Sequence, residues 1–156
     1  MRSDEYCIKS LKILTAVYHA KVGPSGIGVI AANAPILAAG CLCEQSLGSK
    51  DDLYFRSILR ALEIGQRFRS ENLVILCPDE TTVRLVNRER GLPAGNPQIP
   101  LYVRIRALMY TFQSVEILSA ARSTVGSAYR LAIEASRLPV RADKVQGSLF
   151  ELDDQE

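Results

Sequence analysis

Two adjacent carboxylates, Asp79 and Glu80, follow a short and almost wholly apolar run at 72–77, from which Pro78 separates them. A run of this length and composition is typical of a strand buried on both faces of a sheet, and ligands of α/β sheets bind at the carboxyl ends of such strands. The pair is therefore a candidate for a weak site that holds one divalent metal ion. The interpretation that we favour is that Asp79 caps the helix that follows, with Pro78 fixing the approach of the chain.

Arginine side chains recur along three predicted helices and form a candidate surface for the phosphates of a nucleic acid. Arg56 and Arg60 are four residues apart on the first of these helices, and Arg84 and Arg88 have the same spacing on the second. The other members of the set are Arg67, Arg90, Arg104 and Arg106. Contacts from such cations to phosphates would make binding depend steeply on salt. The alternative is a solvated helix face on which arginines pair with carboxylates such as Glu63.

The cysteines and the single histidine, His19, lack the spacing of a metal site. Cys41 and Cys43 are separated by one residue, whereas zinc sites use pairs separated by at least two. Cys7 and Cys77 lie inside or beside apolar runs with no histidine partner. We expect reduced, packed thiols rather than metal ligands or disulfides.

The hydrophobic pattern predicts nine elements in the order β-β-β-α-β-α-α-β-α. The predicted strands cover residues 11–19, 27–32, 36–43, 72–77 and 115–118, and the predicted helices cover 50–69, 81–88, 99–112 and 123–137. Short turns rich in Gly and Pro join the first three strands, which favours an antiparallel meander. The later alternation of helix and strand favours a mixed five-stranded α/β sheet with helices on both faces.

The composition limits the class of protein. The 156 residues suit one domain, which we place at 1–138 and follow with a mobile acidic tail at 139–156. The net charge of +2 is too small to argue for nucleic acid by itself. No stretch approaches the roughly 20 apolar residues that span a bilayer, and the amino terminus lacks the apolar run of a signal peptide. We expect a cytoplasmic protein with no membrane partner.

Three local features resemble the ribonuclease H family when they are taken in their order along residues 11–137. A glycine-rich turn, Gly23 to Gly28, joins the first two strands; the first long helix carries Ala61-Leu62-Glu63; and the fourth strand runs into Asp79. The resemblance implies a ribonuclease-H-like fold. It also implies an enzyme that cleaves the RNA strand of RNA–DNA hybrids with two divalent metal ions held by four carboxylates.

The resemblance places those four carboxylates at Ala16, Tyr54, Asp79 and Tyr129, of which only Asp79 is acidic. One carboxylate cannot offset the repulsion between two dications or supply the octahedral set of oxygens that Mg²⁺ takes. The family's mobile histidine also has no counterpart in 119–126. We therefore expect a noncatalytic binding or adaptor module without a cofactor, associated with nucleic acid or with replication and repair proteins.

A nuclease with a rearranged site is the alternative function. Its acids would be Asp79 and Glu80 together with Glu44 or Asp51, and it would bind Mg²⁺ or Mn²⁺ weakly and act on an RNA–DNA hybrid.

The two tyrosines at former acid positions allow three interpretations. Tyr54 and Tyr129 could stack bases or sugars, they could fill a cleft that no longer holds water, or they could be buried anchors of a homodimer interface. The sequence leaves these open.

Gln146, Leu149 and Phe150 resemble the Gln-x-x-Leu-Phe peptide by which bacterial replication and repair proteins dock on the sliding clamp. In such a peptide the glutamine fixes the register through hydrogen bonds, and the apolar pair fills a pocket. The alternative is a tail that folds back on its own domain.

Overall fold

A computed structural model of the chain describes residues 9–33 and 40–139. The strands are β1 (Ser10–Tyr18), β2 (Ser25–Ala31), β3 (Cys41–Ser46), β4 (Asn72–Cys77) and β5 (Ser114–Ser119). The helices are α1 (Lys50–Arg67), α2 (Glu80–Val86), α3 (Ile99–Met109) and α4 (Gly126–Ser136). The predicted order of elements is confirmed.

The strands form one mixed sheet in the order β3-β2-β1-β4-β5. β1 pairs antiparallel with β2, and β2 pairs antiparallel with β3, which confirms the predicted meander. β1, β4 and β5 are parallel, with Ile13 beside Ile75 and Ile75 beside Ile117. Because parallel strands end at the same edge of a sheet, the residues that follow Tyr18, Cys77 and Ser119 come together there.

α1 packs its apolar face on one side of the sheet. Ser49 caps the helix by accepting a hydrogen bond from the backbone N–H of Asp52 at 3.2 Å, and the acidic first turn complements the helix dipole. Leu53, Ile58 and Leu62 on the inner face have no exposed surface. The apolar residues at helical spacing therefore form the main core with the alternate residues of β1 and β4.

α4 lies on the opposite side of the sheet and approaches the backbone of β2 closely. A Cβ atom built on Gly28 would overlap the carbonyl oxygen of Ala128, and one built on Gly26 would overlap that of Ala132. These two glycines belong to β2 rather than to the turn before it. The glycine-rich segment thus serves two needs: Gly23 adopts a positive φ of 85° in the turn, and the next two glycines admit the helix.

Several predicted boundaries were wrong. The third strand extends to Ser46 instead of ending at residue 43, because its polar end pairs with Ser25 at the edge of the sheet, where no apolar pattern marks it. α3 ends at Met109 instead of residue 112, since a turn follows it. α4 begins at Gly126 instead of residue 123. In the part of the chain that the structure describes, no helix has both the length and the apolarity to cross a membrane.

Candidate functional site

A cavity of about 200 Å³ opens at the edge of the sheet where the parallel strands end. We call it the tyrosine cavity. Its lining residues are Val17, Tyr18, His19, Lys50, Tyr54, Arg122 and Tyr129. They come from the end of β1, the start of α1, the loop before α4 and the first turn of α4. Val17 and Tyr54 are buried, whereas His19, Lys50 and Arg122 are exposed and form the rim.

The tyrosines differ in burial and in chemistry. Tyr54 is 7% exposed, and Tyr18 and Tyr129 are half-buried with their ring centres 6.4 Å apart in an edge-to-face arrangement. Burial raises the pKa of Tyr54 above its ordinary value, and the negative charge of Asp79 adds to the shift. The Tyr54 hydroxyl is therefore protonated at neutral pH and can donate a hydrogen bond.

Arg122 lies over the ring of Tyr129. Its guanidinium carbon is 4.5 Å from the ring centre, and its Nη1 donates to the Tyr129 hydroxyl at 3.4 Å. A guanidinium stacked on an aromatic face loses less conformational freedom when it binds a ligand. The loop before α4 thus contributes a pre-positioned cation to the cavity.

Asp79 caps α2, as the favoured interpretation of its position predicted. Its Oδ2 accepts hydrogen bonds from the backbone N–H of Thr82 at 3.0 Å and from the Thr82 hydroxyl at 2.6 Å. Replacing such a cap by alanine typically costs about 1 kcal/mol. This carboxylate therefore has a structural role that requires no metal.

The four positions that the resemblance assigned to metal ligands lie at this same end of the molecule but do not fit two metal ions. Ala16 has no exposed surface and packs with Leu76 and Ala128 in a small apolar cluster against which Tyr129 lies. Tyr54 and Tyr129 are uncharged phenols, so Asp79 is the one carboxylate among them. Within residues 9–33 and 40–139, no three His, Cys, Asp or Glu side chains gather closely enough to hold a metal ion.

Two of the predicted phosphate-tracking arginines, Arg56 and Arg60 on α1, form ion pairs. Arg60 bridges two carboxylates, donating to Glu44 on β3 at 2.7 Å and to Glu63 at 2.9 Å. The hydrogen bond to Glu44 is the main cause that raises the pKa of Arg60. Arg56 pairs with Asp52 at 3.3 Å.

The second helix carries weaker pairs. Arg84 and Glu80 are 3.7 Å apart, and both are largely exposed. Arg88 follows α2 with a positive φ of 65° and an exposed side chain. Of the acids proposed for a rearranged nuclease site, Glu80 therefore pairs with an arginine, as Glu44 does, and Asp79 caps a helix.

The cysteines of the described region are free thiols. Cys77 has no exposed surface, and burial raises the pKa of its thiol to about 12. Cys7 and the tail residues Gln146, Leu149 and Phe150 lie outside the described residues.

The sequence did not single out His19, Lys50 or Arg122 as site residues. The parallel arrangement of the strands could have indicated two of them, because His19 directly follows β1 and Arg122 lies between β5 and the next helix. Residues directly after parallel strands are the usual ligand contacts of an α/β sheet.

Comparison with known proteins identifies the fold. No protein-family model and no curated protein sequence matches the chain. Ribonuclease H1 from the archaeon Halobacterium salinarum is similar in structure, with a TM-score of 0.70 and 18% identity over 81% of this chain and 96% of that one. The N-terminal ribonuclease H domain of a Mycobacterium tuberculosis protein gives a TM-score of 0.69 and 17% identity over 81% of this chain and 94% of that one. LC11 ribonuclease H1, solved with an RNA/DNA hybrid, gives a TM-score of 0.69 and 18% identity over 81% of this chain and 96% of that one. The chain has the ribonuclease-H-like α/β fold.

Proposed function

We propose that this chain is a noncatalytic ribonuclease-H-like module that binds nucleic acid and serves as an adaptor. One observation carries the proposal: the end of the sheet where this fold would hold its metal ions carries phenols and cations instead. Tyr54 and Tyr129 occupy two of the acid positions, and Arg122 stacks on the second of them.

Catalysis with two metal ions needs several negative charges at one point, because each dication repels the other. Asp79 alone does not meet this need, and its Oδ2 already accepts two hydrogen bonds. A carboxylate at position 16 would also have to enter a space packed with apolar side chains. The chain's own residues therefore favour binding without cleavage.

Nucleic acid is the favoured ligand class for two reasons. A solved structure with this fold, LC11 ribonuclease H1, is a complex with an RNA/DNA hybrid. In addition, the rim of the tyrosine cavity carries Lys50 and Arg122, and neither forms an ion pair in the part of the chain that the structure describes. Cations without an ion-pair partner on the rim of a cavity attract a polyanion such as a nucleic acid.

Binding and cleavage should be measured on the same samples. We expect an RNA–DNA hybrid or a single strand to bind in EDTA at low salt, with affinity that falls steeply as salt rises. We expect no cleavage with Mg²⁺ or Mn²⁺. Cleavage of the hybrid that is lost in Asp79→Asn would overturn the noncatalytic proposal and establish the rearranged nuclease instead.

The ion pairs of the arginines determine which of them should be substituted to test the arginine surface. Substituting Arg56 and Arg60 would also break ion pairs, so a loss of binding there would be ambiguous. Arg84 and Arg88 are exposed and only weakly paired, and their joint replacement by alanine should lower the salt slope by roughly 0.7 for each lost contact to a single strand. Arg137→Ala is the control for the loss of one charge, because Arg137 is exposed at the end of α4, whereas α2 packs beside β5. Equal slopes in all variants would remove α2 from the binding surface.

Two partner proposals accompany the adaptor role. The first is that Gln146, Leu149 and Phe150 dock on a sliding clamp; deletion of 145–156 should abolish clamp binding without changing the melting temperature. A clear drop in melting temperature would show that the tail belongs to the fold.

The second partner proposal is a homodimer through Tyr129, since Tyr54 is already buried in its own domain. Sedimentation at micromolar concentration tests it, and a monomer would reject it.

A further inference from the structure

The tyrosine cavity is large enough to admit a small anion. Small-molecule sites that enclose a drug-sized ligand usually measure roughly 300–1,000 Å³. The tyrosine cavity measures about 200 Å³, which is below that range. A tetrahedral oxyanion such as a phosphate group fits this volume.

The charged side chains that line the cavity are both positive. They are Lys50 and Arg122, and none of the lining residues is acidic. Two carboxylates lie nearby: Asp79 caps α2, and Asp52 in the first turn of α1 pairs with Arg56. A divalent cation would thus meet the positive charges of the rim, whereas a phosphate would be attracted by them.

Arg122 and the tyrosines supply donors in a fixed arrangement. The guanidinium presents a planar set of N–H groups that matches two phosphate oxygens at once. Its stacking on Tyr129 at 4.5 Å restrains it before the ligand arrives. The protonated hydroxyl of Tyr54 offers a further donor from the buried side of the cavity.

We propose that the tyrosine cavity binds a phosphate group of nucleic acid directly, with Arg122 and Lys50 in place of divalent metal ions and with tyrosine hydroxyls as additional donors. This inference rests on the proposed function and deepens it, because it names the site and the chemical group. The shared chemistry is a phosphate, which is either a terminal phosphate or one within the backbone.

Titration calorimetry in EDTA tests the site with three probes: inorganic phosphate, a short single strand with a 5′ phosphate, and the same strand with hydroxyl ends. We expect Arg122→Gln to weaken binding of the strand by roughly tenfold or more, which is the loss of one charge-assisted contact. Lys50→Gln should also weaken it. Both side chains are exposed, so each variant should keep a melting temperature within roughly 2–4 °C of wild type, and Arg122→Gln should show the larger change because it loses the contact with Tyr129. Arg137→Gln is the control of equal charge change and should stay within about twofold of wild type.

The outcomes separate the site from the function. A loss seen only with the 5′-phosphorylated strand supports the site with a terminal phosphate, and an equal loss with both strands supports it with a backbone phosphate. Strand binding that is the same in Arg122→Gln, Lys50→Gln and Arg137→Gln overturns the site while nucleic-acid binding stands. Binding that appears only when Mg²⁺ replaces EDTA also overturns it. Inorganic phosphate that binds through Arg122 while no strand binds would keep the anion site and reject the proposed function.

Discussion

Replacing Gly28 by alanine should destabilise the protein strongly, because the new methyl group meets backbone atoms. The added Cβ would overlap the carbonyl oxygen of Ala128 and lie 2.8 Å from the backbone nitrogen of Ala132 and 2.9 Å from the Cβ of Leu131. A flexible side chain could rotate away, but a helix backbone has to move as a unit. α4 would retreat from β2 by on the order of 1 Å to restore normal contact distances.

The cost can be approximated from the packing that this movement would loosen. Val125, Ala128, Ala132 and Ala135 have no exposed surface at the interface of α4 with the sheet. A gap of about 0.5–1 Å forfeits a quarter to a half of the dispersion attraction of the atoms that line it. Overpacking typically costs about 1–3 kcal/mol, and the backbone obstacle places this variant near the upper limit. The lower entropy of the unfolded alanine chain recovers about 0.4–1 kcal/mol.

Urea and thermal unfolding would measure the effect. A net loss of about 2 kcal/mol corresponds to a fall in melting temperature of roughly 4–8 °C for a chain of this size. Gly91→Ala is the control, because no atom lies within 4 Å of a Cβ there, and we expect it to remain within about 0.5 kcal/mol of wild type. If Gly28→Ala were as stable as Gly91→Ala, α4 would not pack on β2 as closely as described. Since Tyr129 lies on α4, the variant should also weaken phosphate binding.

Three further predictions concern groups away from this contact. Arg60→Met should lower the free energy of unfolding by about 1 kcal/mol because it leaves two carboxylates unpaired, and the difference should shrink in high salt; a variant as stable as wild type would contradict the role of the ion pairs. Asp79→Ala should cost about 1 kcal/mol, while Asp79→Asn costs less because asparagine also caps helices; equal losses would point to charge instead of capping. The raised pKa of Cys77 keeps its thiol protonated in the folded state, so the stability that it contributes is complete below about pH 9 and is lost as the pH rises toward about 12. The pKa of Tyr54 is also raised, so its contribution to stability is likewise lost as the pH rises above the ordinary value of 10.0. The slope of unfolding free energy against pH should therefore flatten in Cys77→Ala and in Tyr54→Phe.

The sequence predicted the fold well because its main elements bury one face. The apolar run at 72–77 and the helical spacing of Ile58 and Leu62 are strong signals, and both elements lie where they were expected. β3 was harder to place, since its end is polar and lies at the edge of the sheet. The end of β3 is held by backbone hydrogen bonds to β2, and such bonds leave no pattern of apolar residues in the sequence of the strand itself.

The site was only partly predictable, for a similar reason. The absence of acids at Ala16, Tyr54 and Tyr129 could be read from single positions once the resemblance was recognised. The rim of the cavity could not, because His19 and Arg122 are 103 residues apart and meet only through the parallel register of β1, β4 and β5. The arginines that the sequence did select are concentrated on helices, where nearby carboxylates pair with them.

The concentration of tyrosine in the cavity gives the protein a built-in optical reporter. The chain contains 6 tyrosines and 0 tryptophans, and Tyr18, Tyr54 and Tyr129 line the cavity. With no indole ring present, tyrosine dominates the near-ultraviolet circular dichroism and the intrinsic emission of the protein. Half of its tyrosine rings surround the place where a ligand would enter. Occupation of the cavity should change these spectra without any label, while a ligand that binds only along α2 should leave them almost unchanged.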